Sequence, residues 1–158
     1  MPIRSWSLQN NLILFEEISS DDPITEVIKE AFDMDLEVSG GWGYRQENAI
    51  ILPTKDRQLA QLQHTLASMR THLEMSLTQP ERNRYGGINL NELSRITTDN
   101  PRYEAVTYRV TAMLASDYAD FINAYKEGYG TESFDMEAHF QARKEATLTR
   151  DITVWFSI

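Results

Sequence analysis

The chain alternates between stretches of helical and strand periodicity, and the alternation predicts most of its elements. Ile24, Val27, Ile28, Ala31 and Phe32 recur at the spacing of one helix face, behind a start signal in Asp21-Asp22-Pro23 with Glu26 in the first turn. Leu59, Leu62, Leu66, Met69, Leu73 and Leu77 are spaced 3, 4, 3, 4 and 4, which predicts a long helix over about 56–78, with Asp56 as its cap and Pro80 as its stop. Gln58, Gln61, Gln63, Thr65, Arg70 and Glu74 are read as its opposite, polar side, with Arg70 and Glu74 an i, i+4 pair. A third helix is expected from Ser116 to about Glu127, with Tyr118, Phe121, Ile122 and Tyr125 turned inward and Gly128 as its stop. Asn89 to Ile96 reads as a further short helix through Leu90, Leu93 and Ile96.

Strand periodicity marks 3–8 and 11–18 around a turn at Gln9-Asn10-Asn11, then 35–39 and 48–52, the latter stopped by Pro53. The clearest strand is 103–114, where Val106, Tyr108, Val110, Ala112 and Leu114 share one parity and Thr107, Arg109 and Thr111 the other. Residues 134–142 and 152–158 both alternate, so the C-terminus is expected to be a hairpin, with a helix over 135–145 as the rival for its first arm. Residues 80–88 read as a loop. These elements add up to an α+β fold: one domain over 1–158, a mainly antiparallel sheet packed by two or three helices.

Composition narrows the chemistry. Without cysteine there is no disulfide, thiolate nucleophile or Cys-bound zinc. The longest apolar run, Leu12-Ile13-Leu14-Phe15, is far too short to span a bilayer, and residues 1–6 carry no signal-peptide core, so a cytoplasmic protein is expected. The net charge of −9 divides into −7 over 1–53, +2 over 54–102 and −4 over 103–158. That balance argues against nucleic acid and anionic membranes and is compatible with a basic protein partner.

The most distinctive stretch is Val38-Ser39-Gly40-Gly41-Trp42-Gly43-Tyr44-Arg45. Its glycines lack the spacing of a phosphate-binding loop, and the residues after them read as strand, so it is taken as a β-connection in which Gly40-Gly41 form the turn. Trp42 and Tyr44 are then either a wedge in the core or a contact surface. His64, His72 and His139 do not form a zinc motif, Asp33-Met34-Asp35 is a common pattern at a helix end, and no nucleophile elbow is present; no metal, cofactor or catalytic residue is assigned. Arg82-Asn83-Arg84-Tyr85 is the one basic-aromatic cluster. The expected function is a small acidic binding module, non-enzymatic and inhibitor- or immunity-like, meeting a protein partner through Trp42, Tyr44 and Arg45. The rival is a small-molecule enzyme or binder whose pocket lies between sheet and long helix, with Tyr44, Arg45, His64, Arg84, Tyr85 and His139 as its polar groups. Self-association through the helix stripe or a sheet edge stays open.

Overall fold

A computed structural model describes residues 16–19, 21–53, 59–78, 85–99 and 102–158. In chain order the elements are α1 (Ile24–Phe32), β1 (Ser39–Gly40), a 3-10 turn (Gln46–Asn48), β2 (Ile50–Ile51), α2 (Leu59–Thr78), β3 (Tyr85–Thr98), β4 (Tyr103–Leu114), α3 (Ala115–Gly128), α4 (Met136–Ala146) and β5 (Leu148–Ser157). The strands form one five-stranded sheet in the order β1-β2-β5-β4-β3, antiparallel throughout except where β2 runs parallel to β5. The class is α+β, with the long helix one of four among the described residues. The expected strands at 3–8 and 11–15, the cap at Asp56, and residues 80–84 lie outside the described residues, while 16–19 carry no strand.

β4 is the spine. Val106, Tyr108 and Val110 are 0–1% exposed, and opposite them on β5 Val154 and Ile152 are likewise buried. One parity of both strands therefore faces α2, and each fully buried aliphatic side chain there contributes roughly 1.5–3 kcal/mol. The other parity is polar: Thr107 and Thr153 share a hydrogen bond of 2.9 Å, and Arg109 grips Asp151 at 2.9 and 3.2 Å.

Three expectations are corrected. Residues 134–142 do not form a strand: α4 occupies Met136–Ala146, capped by Asp135, whose Oδ1 accepts from the Ala138 amide at 3.0 Å. Helix-forming Glu, Ala, Gln and Lys, started by that cap, prevail over the alternation. Residues 89–96 are not a helix but part of β3, a strand that also takes Tyr85 to Ile88 from the expected loop. Its register against β4 shifts between Gly86 and Asn89 and again between Glu92 and Ser94, and each shift changes which parity faces the core. Leu90 is thus buried while Leu93 and Ile96 are 48% and 63% exposed, and their three-residue spacing imitates a helix. Finally, Gln63, Arg70 and Glu74 do not face solvent. They are 0–2% exposed, on the side of α2 that meets the sheet.

Smaller differences occur at helix ends. Pro23, placed by its sequence inside α1, stands at the cap, where its carbonyl accepts the Glu26 and Val27 amides at 3.0 and 3.2 Å. α3 starts at Ala115 behind Leu114, without a side-chain cap from Ser116.

Candidate functional site

The glycine-aromatic stretch is less a hairpin turn than an arch. β1 and β2 pair over only two residues each, and the chain between them, 41–49, folds back onto β5. Gly43 anchors the arch: its carbonyl accepts the Trp155 amide and its amide donates to the Asn48 carbonyl, both at 2.8 Å. Its φ of +79° suits glycine, and a Cβ there would stand 2.7 Å from the Trp155 carbonyl oxygen. The arch directs Trp42 inward, where it is 6% exposed and packs with Val38, Ile50 and Leu52. Of wedge and contact, Trp42 is the wedge. Arg45 is the outward member of the trio, with its guanidinium forked on Glu17 at 2.9 and 3.1 Å.

Tyr44 opens onto a sealed polar cluster. Its hydroxyl donates to Glu74 Oε2 at 2.6 Å and accepts the Ile18 amide at 2.9 Å. Arg70 lies over the Tyr44 ring, 4.2 Å from its centroid, and donates to the carbonyls of Trp42 (3.2 Å) and Thr153 (3.4 Å). Burial raises the Glu74 carboxyl above the ordinary glutamate range, against the pull of the Arg70 charge and the Tyr44 hydroxyl. Burial likewise lowers Arg70 and raises Tyr44, whose bond and proximity to Glu74 add to the rise. At 2% exposure each, Arg70 and Glu74 are out of reach of a substrate. Shifted carboxyls and guanidinia often mark active sites, but these tie the arch and β5 to the long helix.

A second buried carboxylate closes the other end of α2. Glu104 accepts from Gln63 Nε2 (2.8 Å), Arg95 (3.0 Å), Thr97 (3.2 Å) and Arg102 (3.3 Å). Burial, its largest single influence, raises the Glu104 pKa. The Gln63 bond, the Arg95 charge and the bonds from Arg102 and Thr97 together bring it below the ordinary range. Between these clusters the space between sheet and α2 is filled by Gln63, Leu66 and Arg70.

Of the rival site's residues, His64, Tyr85 and His139 sit on three separate elements. His64 reaches the Leu90 carbonyl at 3.0 Å, Tyr85 opens β3 with its amide on Met75 Sδ at 3.2 Å, and His139 belongs to α4; Arg84 is outside the described residues. A groove of about 390 Å³ lies between α1 and α2, lined by Val27, Phe32, His72 and Leu73 among others. Burial lowers the His72 pKa, which favours the neutral ring there. Asp33 and Asp35 share Lys29, 3.3 Å from each.

The aromatic surface lies elsewhere, on α3 and α4. His139 is 8% exposed, and the rings of Phe121, Tyr125, Phe134 and Phe140 surround it at centroid distances of 5.2–5.8 Å. Its Nε2 is buried with no hydrogen-bond partner among the described residues. Around this cluster Tyr129, stacked on Tyr125 at 5.2 Å, is 63% exposed and Phe140 47%. Over 115–146 the sequence has seven Asp or Glu against three Lys or Arg, so the rings sit in an acidic surround. In sequence these residues read as a strand parity and a helix face, and the surface exists only because 136–146 coils back on α3.

Among the described residues, no group of three or more His, Asp or Glu is arranged to hold a metal, and no helix is long and apolar enough to cross a membrane. Comparison with family models, with curated proteins and with solved structures finds no match.

Proposed function

We propose that this protein is a cytoplasmic, non-enzymatic binding module for a protein partner, and that the partner presents a Lys/Arg-rich segment to the α3–α4 face. The observation that carries the reading is the exposure of Tyr129 and Phe140, 63% and 47%, on a packed cluster of rings. Rigid, half-supported aromatic rings are the side chains on which interface energy concentrates. Their faces attract cations, and a cation already lies over one of them: the Arg143 guanidinium is 5.9 Å from the Phe140 ring. The acid excess around them speeds the approach of a basic segment and selects against acidic ones. Trp42, buried in the arch, supports this surface only by holding the fold.

The test is affinity capture from the source cell, with wild type beside the double variant Tyr129→Ser/Phe140→Ser, followed by titration of the captured partner. Wild type is expected to retain a partner with a basic segment and release it at raised salt. The variant, with an unchanged melting curve, is expected to bind at least about tenfold more weakly, as loss of one hot-spot side chain requires. Equal capture by both proteins would overturn the reading.

A further inference from the structure

We propose that a pocket between Tyr118 and Arg143 binds a small carboxylate. The pocket, about 160 Å³, is lined by Gly87, Thr111, Ala112, Met113, Tyr118, Arg143 and Thr147. That is the share of roughly five waters at about 30 Å³ each, room for a few non-hydrogen atoms.

Its walls depend on local backbone features. At Gly86 and Gly87 the Tyr118 ring lies directly against the strand: a Cβ would meet it at 2.9 Å on the first glycine and 2.8 Å on the second. Gly87 has φ +63°, and the β3–β4 register shifts between Gly86 and Asn89. Shifts of this kind re-aim side chains beside binding sites. Here the strand stays bare so that a tyrosine from α3 can form one wall, while α4 supplies an arginine for the other.

The donors suit an anion. No lining residue is acidic, although the chain carries a net charge of −9. Arg143 pairs with no carboxylate among the described residues, and its guanidinium has only the distant Phe140 ring as a partner. Thr147 spends its hydroxyl hydrogen on the Arg143 carbonyl at 2.7 Å, whereas the Thr111 and Tyr118 hydroxyls have no partner among the described residues. One planar guanidinium and two hydroxyl donors match the single charge and two oxygens of a carboxylate. A phosphate dianion would need a second cation in so acidic a chain. The site does not rest on the partner-binding reading, since a small anion fills it without touching Tyr129.

The test is titration of the whole chain with sodium propionate at constant ionic strength, set by chloride, following amide shifts of Gly87 and Thr111. Saturable shifts confined to the pocket are expected, with millimolar affinity for so small a ligand. Arg143→Gln is expected to weaken binding about tenfold or more, with Arg143→Lys between it and wild type. Neutral propionamide should give no saturable shift. Equal response to propionate and propionamide, or unchanged affinity in Arg143→Gln, would overturn the site; tighter binding of phosphate than of propionate would overturn the carboxylate assignment. If Arg143→Gln disturbs shifts throughout the chain, Thr111→Val decides. An affinity loss of about threefold or more supports the site and none overturns it.

Discussion

The molecule places an arginine over an aromatic ring twice, and the two placements do opposite work. Arg70 lies 4.2 Å from the Tyr44 ring centroid, 2% exposed, with two backbone carbonyls and Glu74 around it. Arg143 lies 5.9 Å from the Phe140 ring on a surface where that ring is 47% exposed. The first guanidinium has been taken out of water, with Nη1 and Nη2 on the Trp42 and Thr153 carbonyls and only Nε without a partner among the described residues, so it fixes the arch, the long helix and β5 to one another. The second is half-buried, has no hydrogen-bond or carboxylate partner among the described residues, and is the one that can act on something outside the chain. Residue type does not distinguish them; access does. A cation over a ring inside the fold is a strut, and the same pair at the surface is a contact.

The sharpest way to break this contrast is Arg70→Ala. The substitution strands the Trp42 and Thr153 carbonyls and leaves Glu74 buried beside a neutral neighbour. Leaving a buried acceptor without its donor costs about 1–3 kcal/mol, and Glu74 also loses a nearby opposite charge. A chemical denaturation curve should show a loss of that size. Arg70→Met combined with Glu74→Leu should recover only the part due to the Glu74 charge, because the Trp42 and Thr153 carbonyls stay without Arg70 and the Tyr44 hydroxyl loses Glu74. A loss below about 1 kcal/mol in the single variant, in the range of surface substitutions, would mean that Arg70 is no strut.

A smaller effect separates the two buried carboxyls. The Glu74 pKa is raised, chiefly by burial, so the stability it contributes is complete below the ordinary glutamate range and lost as pH rises through the raised value. The Glu104 pKa is lowered on balance: burial raises it, but the Gln63 bond, the Arg95 charge and the bonds from Arg102 and Thr97 outweigh burial. Its contribution is present above the ordinary range and lost as pH falls through the lowered value. Glu104→Gln should therefore flatten the decline of stability on acidification. Glu74→Gln, which still accepts the Tyr44 hydroxyl, should flatten the decline on the other side. Stability measured against pH for the two variants checks the signs, and identical slopes would contradict the difference in their surroundings.

Legibility in the sequence obeys the same division between pattern and access. α1, α2, α3, β4 and β5 announce themselves because each keeps one periodicity along its length, as Val106, Tyr108 and Val110 do. β3 hides because two register shifts break its parity, so Leu90, Leu93 and Ile96 mimic a helix face. α4 hides because Phe134, Met136, Ala138 and Phe140 happen to alternate. Arg70 and Glu74 hide because polar residues on an amphipathic helix are read as solvated. A signal was present: Gln63, Arg70 and Glu74 stand seven and four residues apart, which puts them beside Leu66 and Leu73 on the same side. Trp42 and Tyr44 were legible as important residues but not as inner or outer ones, since that depends on how the arch folds onto β5. The pocket at Arg143 depends on three segments far apart in sequence, and nothing local marks it.

The smallest expected effect tests the other half of the comparison. Tyr129 and Phe140 touch neighbouring rings but do not close the core, and α3 buries no residue fully. Replacing each with Ser removes contacts that water already reaches, so thermal unfolding should move by no more than about 0.5 kcal/mol for either change, the range of ordinary surface substitutions. The burial that remains is at His139, 8% exposed at the centre of the ring cluster. Phe140→Ser opens one side of that imidazole, whereas Tyr129 is stacked on Tyr125, one ring further out. Phe140→Ser should therefore cost the more of the two. If either variant destabilised the chain as much as Arg70→Ala, the α3–α4 rings would be a second core with an incidental exposed edge, and the distinction between strut and contact would fail at its outer member.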